Sequence, residues 1–188
     1  MGREFERKYG ANPQILEQIR ESYGDFTQME METTYFDTPT GTLSARKMTL
    51  RLRRENGVCV CTLKTPLPDG SRGEWECESE DLESGLAALT AAGAPAVPER
   101  PLMPVCGARF TRLCKILPTA DGTAELALDS GVLVGGGRER LLCEMEVELK
   151  SGSEAAAVAL AKELAARYGL SEEPKSKFAR AMALAKGE

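Results

Sequence analysis

The sequence predicts an α+β fold in which eight strands form one sheet curled into a barrel with a charged interior, and amphipathic helices pack outside. Three observations predict it. Hydrophobicity alternates with period two over most of the 188 residues, the spacing at which side chains share one face of a strand. Four stretches repeat at helical spacing instead, and each needs an apolar surface to cover. Charged side chains collect on one face of nearly every strand, so helices that cover the apolar face turn the charged face inward.

The first strand is placed near residues 2–9, with Glu4, Glu6 and Lys8 on one face. Asn12 and Pro13 then open a short helix with Ile15, Leu16 and Ile19 on one side and Gly24 beyond its end. Strands follow near 28–38, 48–56, 58–65 and 72–80. Thr38-Pro39-Thr40-Gly41 reads as a turn held by Asp37, and Glu30 and Glu32 are assigned to solvent. Arg51 and Arg53 oppose Leu50 and Leu52, while Arg72, Glu74, Glu76 and Glu78 oppose Trp75 and Cys77. Asp81 caps a second helix carrying Leu82, Leu86 and Leu89 and stopping at Gly93. Three more strands are placed near 107–117, 123–130 and 140–150, the last pair joined through Gly135-Gly136-Gly137. That run lacks the lysine and following helix of a phosphate loop and reads as a hairpin turn. Glu125 and Asp129 share a face, as do Glu144, Glu146, Glu148 and Lys150. Ser153 opens a third helix that ends at Gly169, and Pro174 starts a fourth running toward Lys186. Residues 1–188 are expected to form one domain.

Composition removes several chemistries. There is no histidine, so a Ser-His-Asp triad, a Cys-His pair and a His-ligated zinc are all excluded, and proton transfer and metal binding fall to carboxylates and lysines. The six cysteines form no CxxC pair and sit in apolar runs, as reduced small hydrophobes do. The charged start and the lack of a membrane-length apolar run lead to an expected cytoplasmic location with no membrane partner. A net charge of −5 argues against general nucleic-acid binding.

An antiparallel sheet with its charged face in water is the plain alternative to a barrel. Against it, Glu144, Glu146 and Glu148 follow one another about 7 Å apart on one face, a repulsion that a solvent face relieves by mixing signs. Acids also concentrate on the first and last strands, whereas Arg51, Arg53, Lys64 and Arg112 lie on middle ones. Enclosed acids without histidine call for a hard divalent cation held by oxygen, Mg²⁺ or Mn²⁺. Enclosed guanidinium and ammonium groups call for a polyanion, whose phosphate oxygens match the arginine fork. Side by side, the two clusters suit a metal-bound polyphosphate.

Eight segments in order resemble the CYTH superfamily, the triphosphate tunnel metalloenzymes. They are Glu4-Phe5-Glu6-Arg7-Lys8, Tyr35-Phe36-Asp37-Thr38-Pro39, Leu50-Arg51-Leu52-Arg53, Thr62-Leu63-Lys64, Arg72-Gly73-Glu74-Trp75-Glu76, Glu144-Met145-Glu146-Val147-Glu148-Leu149-Lys150 and Ser176-Lys177-Phe178-Ala179-Arg180, with Leu126-Ala127-Leu128-Asp129 ahead of the last two. The resemblance implies an eight-stranded antiparallel barrel, open at both ends, with a triphosphate inside. It implies Glu4, Glu6, Asp129, Glu144 and Glu146 as metal ligands and Lys8, Arg51, Arg53, Lys64, Arg112 and Lys177 as phosphate contacts. Lys175 substitutes for Lys177 if the last helix starts earlier. Glu4, Glu6 and Lys8 form the catalytic set, Lys8 positioning or deprotonating the attacking water. Arg72, Glu76, Glu78 and Glu148 are expected inside without an assigned role.

The expected activity is metal-dependent hydrolysis of a triphosphate, inorganic tripolyphosphate first. The alternatives are a class IV adenylyl cyclase, a thiamine triphosphatase, and a non-catalytic polyphosphate or nucleotide binding module. With five Phe, four Tyr and one Trp, no aromatic clamp for a base stands out. Whether the barrel forms a homodimer is left open.

Overall fold

The computed structural model describes residues 5–67, 72–97 and 101–188. Glu4 lies outside the described residues. One nine-stranded antiparallel sheet organises the described residues: β1 (Glu6–Gly10), β2 (Thr27–Asp37), β3 (Thr49–Glu55), β4 (Val58–Pro66), β5 (Arg72–Glu78), β6 (Met103–Pro118), β7 (Thr123–Gly135), β8 (Arg138–Ser151) and the two-residue β9 (Ser171–Glu172). The spatial order is β5-β4-β3-β2-β6-β7-β8-β1-β9. Among the described residues no backbone hydrogen bonds join β5 to β9, so the sheet is curled but not closed by its ladder. The curl is nonetheless deep, because side chains of β1, β3, β5 and β8 line one cavity.

Among the described residues five helices complete the fold: α1 (Pro13–Tyr23), α2 (Thr42–Ala45), α3 (Leu82–Ala91), α4 (Glu154–Tyr168) and α5 (Lys177–Lys186). The outward face of β1, β7 and β8 is apolar, and α1 and α4 cover it: Leu126, Leu128, Met145 and Val147 meet Ile19, Ala161 and Leu164. Over β3–β5 the same task falls to α2 and α3, through Leu50, Cys61 and Leu63 against Leu43, Leu86 and Leu89. Among the described residues no helix is long and apolar enough to cross a membrane.

The fifth helix behaves differently. Toward the β7–β8 hairpin the inward row turns from charged to apolar, with Ala108, Phe110, Leu133 and Leu142, and Ala181 and Leu184 of α5 pack against it. A Cβ on Gly135 would sit 2.4 Å from the carbonyl oxygen of Ala181, so glycine is what lets α5 approach the strand. The helix starts at Lys177 rather than Pro174, because the Ser176 side chain accepts from the Ala179 N–H at 3.1 Å and ends the preceding extended segment.

Several other boundaries also moved. β6 begins at Met103, and Pro104 is tolerated because the pairing with β2 shifts register between Tyr35 and Phe36, where a missing N–H costs no ladder bond. The hairpin residues Gly136 and Gly137 both have positive φ, as do Asn56 and Gly57 between β3 and β4, the requirement of a two-residue primed turn. α2 lies just past the predicted turn at residues 38–41 and has no counterpart among the helices the sequence predicts. Its start is held by Asp37, whose buried carboxylate accepts from the backbone N–H groups of Thr38, Leu43 and Ser44 and from the Ser44 hydroxyl. Glu30 and Glu32 are exposed.

Burial alone would raise the Asp37 carboxyl, but the Ser44 hydroxyl and the three N–H donors outweigh it and hold the group below its ordinary value. A depressed carboxyl stabilises the fold above its unfolded value, near pH 4, and that contribution disappears as pH falls through the folded value. Asp37→Asn should therefore cost about 1–2 kcal/mol at pH 7, and urea unfolding should show the gap to wild type closing in acid. A gap that stays constant with pH would remove the charge from this account.

Candidate functional site

Strand register assembles the site. Arg112, Asp129 and Glu144 are direct cross-strand neighbours on β6, β7 and β8, and Glu146, two residues on, lies opposite Lys8 of β1. Asp129 and Glu144 have no exposed surface and Glu146 only 6%. One carboxylate oxygen from each of the three falls within 4.8 Å of the others. Three unpaired buried carboxylates would be prohibitively unfavourable, and three cations answer them. Arg112 grips Asp129 in a fork, Nε to Oδ1 at 2.7 Å and Nη2 to Oδ2 at 2.6 Å, and also bonds Glu146. The Lys177 ammonium touches all three acids, Asp129 at 2.7 Å and Glu146 at 2.8 Å among them. Arg180 closes on Glu144 from the next turn of α5.

These contacts set the titration of the cluster. Burial raises Glu146, but Lys177 and then Arg112 overcome that and hold its carboxyl well below the usual range. Burial dominates at Glu144 and leaves it raised, with Lys177 and Arg180 only partly offsetting the loss of water and the charge of Glu146. Lys177 loses some proton affinity to burial and gains more from Glu146, Asp129 and Glu144, so its ammonium is held firmly charged.

A cavity of about 410 Å³ opens beside the trio. Glu6, Lys8, Arg51, Arg53, Lys64, Arg112, Glu146 and Lys177 line it, while Asp129 and Glu144 stand behind Glu146 and Lys177. On the far wall Lys64 and Arg51 approach Glu74 at 3.2 and 3.6 Å, and Arg53 pairs with Glu55. The Nε atoms of Arg51 and Arg53 are buried with no hydrogen-bond partner among the described residues. Burial, and then the charge of Arg51, lower the proton affinity of Arg53. Lys8 lies 3.5 Å from Glu6 and is 10% exposed. Lys175 is exposed, and Lys177 takes the inward position.

Sequence reasoning missed Arg180, although it stands in the quoted Ser176–Arg180 segment, three residues from Lys177 and therefore on the same helix face. It also missed the aromatic lining of the cavity by Phe5, Tyr35, Phe110 and Phe178. Those rings are largely spent on α5: Tyr35 packs on Phe178 with centroids 5.1 Å apart, and Phe110 lies under Lys177.

The donor set fits a hard divalent cation, since it is all oxygen, clustered and free of sulfur and imidazole. Such a cation competes directly with Lys177 for the same oxygens. Lys177→Met should lower stability by about 3–5 kcal/mol by leaving buried acids short of a partner, and millimolar Mg²⁺ or Mn²⁺ should restore more of the melting temperature than it adds to wild type. Equal metal shifts in the two proteins would count against these oxygens as the metal site.

A curled antiparallel sheet with a charged lumen, acids on one wall and guanidinium groups on the other, defines a class of tunnel proteins. Residues 2–182 match the CYTH domain family, and the chain belongs to it. It is 30% identical over 164 residues to a Haemophilus influenzae protein named inorganic triphosphatase, covering 81% of this chain and 47% of the relative. The chain thus spans about half the length of that curated relative. Among solved structures, a Pyrococcus horikoshii OT3 protein aligns with TM-score 0.66 at 25% identity, covering 98% of this chain and 99% of the other. A Hippeastrum protein, described as an adenylyl cyclase candidate with a dominant triphosphatase activity, aligns with TM-score 0.66 at 20% identity over 98% and 96% of the two chains. These likenesses establish the fold.

Proposed function

We propose that this chain hydrolyses a triphosphate in the cavity, with inorganic tripolyphosphate as the first substrate and Mg²⁺ or Mn²⁺ as the metal. The observation that carries the reading is the pair of buried Nε groups on Arg51 and Arg53 that have no hydrogen-bond partner among the described residues, on side chains lining the cavity that Glu146 also lines. Buried donors of this kind are rare unless a ligand completes them, and the arginine fork is matched to phosphate oxygens. The relative named inorganic triphosphatase supports the same substrate class.

On this reading Arg51, Arg53, Lys64, Arg112 and Lys177 hold the phosphate chain, and Glu6, Asp129, Glu144 and Glu146 hold the metal, with Glu4 assigned to that set from its motif alone. A divalent cation there would supply positive charge to the phosphate oxygens as the terminal group departs. Lys8 positions the attacking water and Glu6, its neighbour at 3.5 Å, accepts the proton. The water oxygen forms the new bond to the terminal phosphorus, the bridging P–O bond breaks, and orthophosphate and pyrophosphate result.

Three of the rings that line the cavity, Tyr35, Phe110 and Phe178, are engaged with α5 rather than free to stack on a base, and Phe5 lies under the Arg7 guanidinium. Purified protein should release phosphate from tripolyphosphate with Mg²⁺ or Mn²⁺, and Glu146→Gln should reduce kcat by about 10²–10³. An assay reading phosphate, pyrophosphate and cyclic AMP separately decides: no turnover with either metal overturns the proposal, and cyclic AMP from ATP replaces it with cyclase chemistry.

A further inference from the structure

The phosphate cavity continues past Arg51, Arg53 and Arg112 into a second cavity of about 330 Å³, and the two differ in sign. Among the described residues the first is lined by seven cations and three carboxylates, the second by five carboxylates and four cations. Three of those four cations are the shared arginines. The fourth, Lys150, is already paired with Glu148 at 3.0 Å and Glu125 at 3.7 Å.

The change of sign is written along single strands. The inward row of β3 runs Arg51, Arg53, Glu55, and that of β5 runs from Arg72 at the basic rim to Glu76 at the acidic one. Glu125 and Glu148 are cross-strand partners. They stand four residues from the Asp129–Glu144 pair, about 13 Å along the strands. Inorganic polyphosphate carries negative charge on every phosphate unit, so a chain threading through the barrel would need cations along its whole path. The path instead passes from a lining with an excess of cations to one with a slight excess of carboxylates, which removes the attraction that draws a polyanion in at the basic rim.

We propose that Glu55, Glu125 and Glu148 form an electrostatic stop at the inner end of the phosphate site. The ligand enters and leaves through the rim at Arg72 and Lys177, and the stop limits it to short chains. This rests on the triphosphatase reading, and names the feature that selects among inorganic polyphosphates. Glu76, exposed at the second rim, extends the same barrier outward.

The test compares kcat/KM for tripolyphosphate and for a long-chain polyphosphate, at fixed ionic strength, in wild type and in Glu125→Gln/Glu148→Gln. Both side chains are partly exposed, at 20% and 27%, so the double variant should fold. Glu163→Gln on the outer surface of α4 serves as the charge control. Wild type should favour the short chain by about tenfold or more, and the double variant should narrow that ratio at least about fivefold while the control leaves it unchanged. Protection against thermal unfolding by each anion without metal gives an independent reading of the same preference. Equal use of both chains by wild type, or a ratio unmoved in the double variant, overturns the stop. If wild type hydrolyses neither, the activity reading fails on its own, and thermal protection still decides: a short-chain preference that the double variant loses supports the stop, and any other pattern overturns it.

Discussion

Burial of Asp129, Glu144 and Glu146 in one small volume is the constraint on which the rest of this structure depends. Three carboxylates removed from water must be neutralised where they stand, and the fold supplies a cation to each from a different direction. Arg112 arrives from the neighbouring strand, and Lys177 and Arg180 arrive from successive turns of α5. The register of β6, β7 and β8 and the position of α5 are therefore coupled: a one-residue slip of any of these strands would carry its charge to the opposite face.

That coupling explains why the last helix lies where the others do not. α1, α3 and α4 cover the outward apolar face by ordinary hydrophobic packing. α5 is anchored at both ends of the inward face, by ion pairs at its first turn and by Ala181 and Leu184 against Leu133 and Leu142 farther on. The apolar half fixes the helix in place, and the charged half turns that placement into a functional cluster. Gly135 removes the steric obstacle between them.

Much of this was legible in the sequence because period-two alternation reports faces directly. The rows Glu144-Glu146-Glu148 and Arg51-Arg53 needed only the strand period to be placed on one surface, and the caps at Asn12, Asp81 and Ser153 bounded three helices within a residue or two. What stayed hidden depends on tertiary context. Ending the seventh strand at residue 130 left Leu133 unplaced, and with it the apolar end of the inward face that draws α5 inside. The strand placed near 107–117 begins at Met103, because a bulge accommodates Pro104. Asp37 looked like the capping residue of a turn, and only the fold shows the short helix that its carboxylate starts. Arg180 stood in the Ser176–Arg180 segment without an assigned role, because the partner that gives it meaning lies 36 residues away in sequence.

Net charge illustrates the same limit from the other side. A chain at −5 repels a polyanion at long range, yet among the described residues its first cavity is lined by more than twice as many cations as carboxylates. The two statements are compatible because screening confines each field to about 8 Å at physiological ionic strength. A polyphosphate approaching from solution therefore responds to the nearest rim rather than to the total. With guanidinium and ammonium groups at one rim and carboxylates at the other, the sheet gives its lumen a direction. The alternation that encloses charge thus also orders it, since every inward row that changes sign does so along the path a chain of phosphates would have to follow.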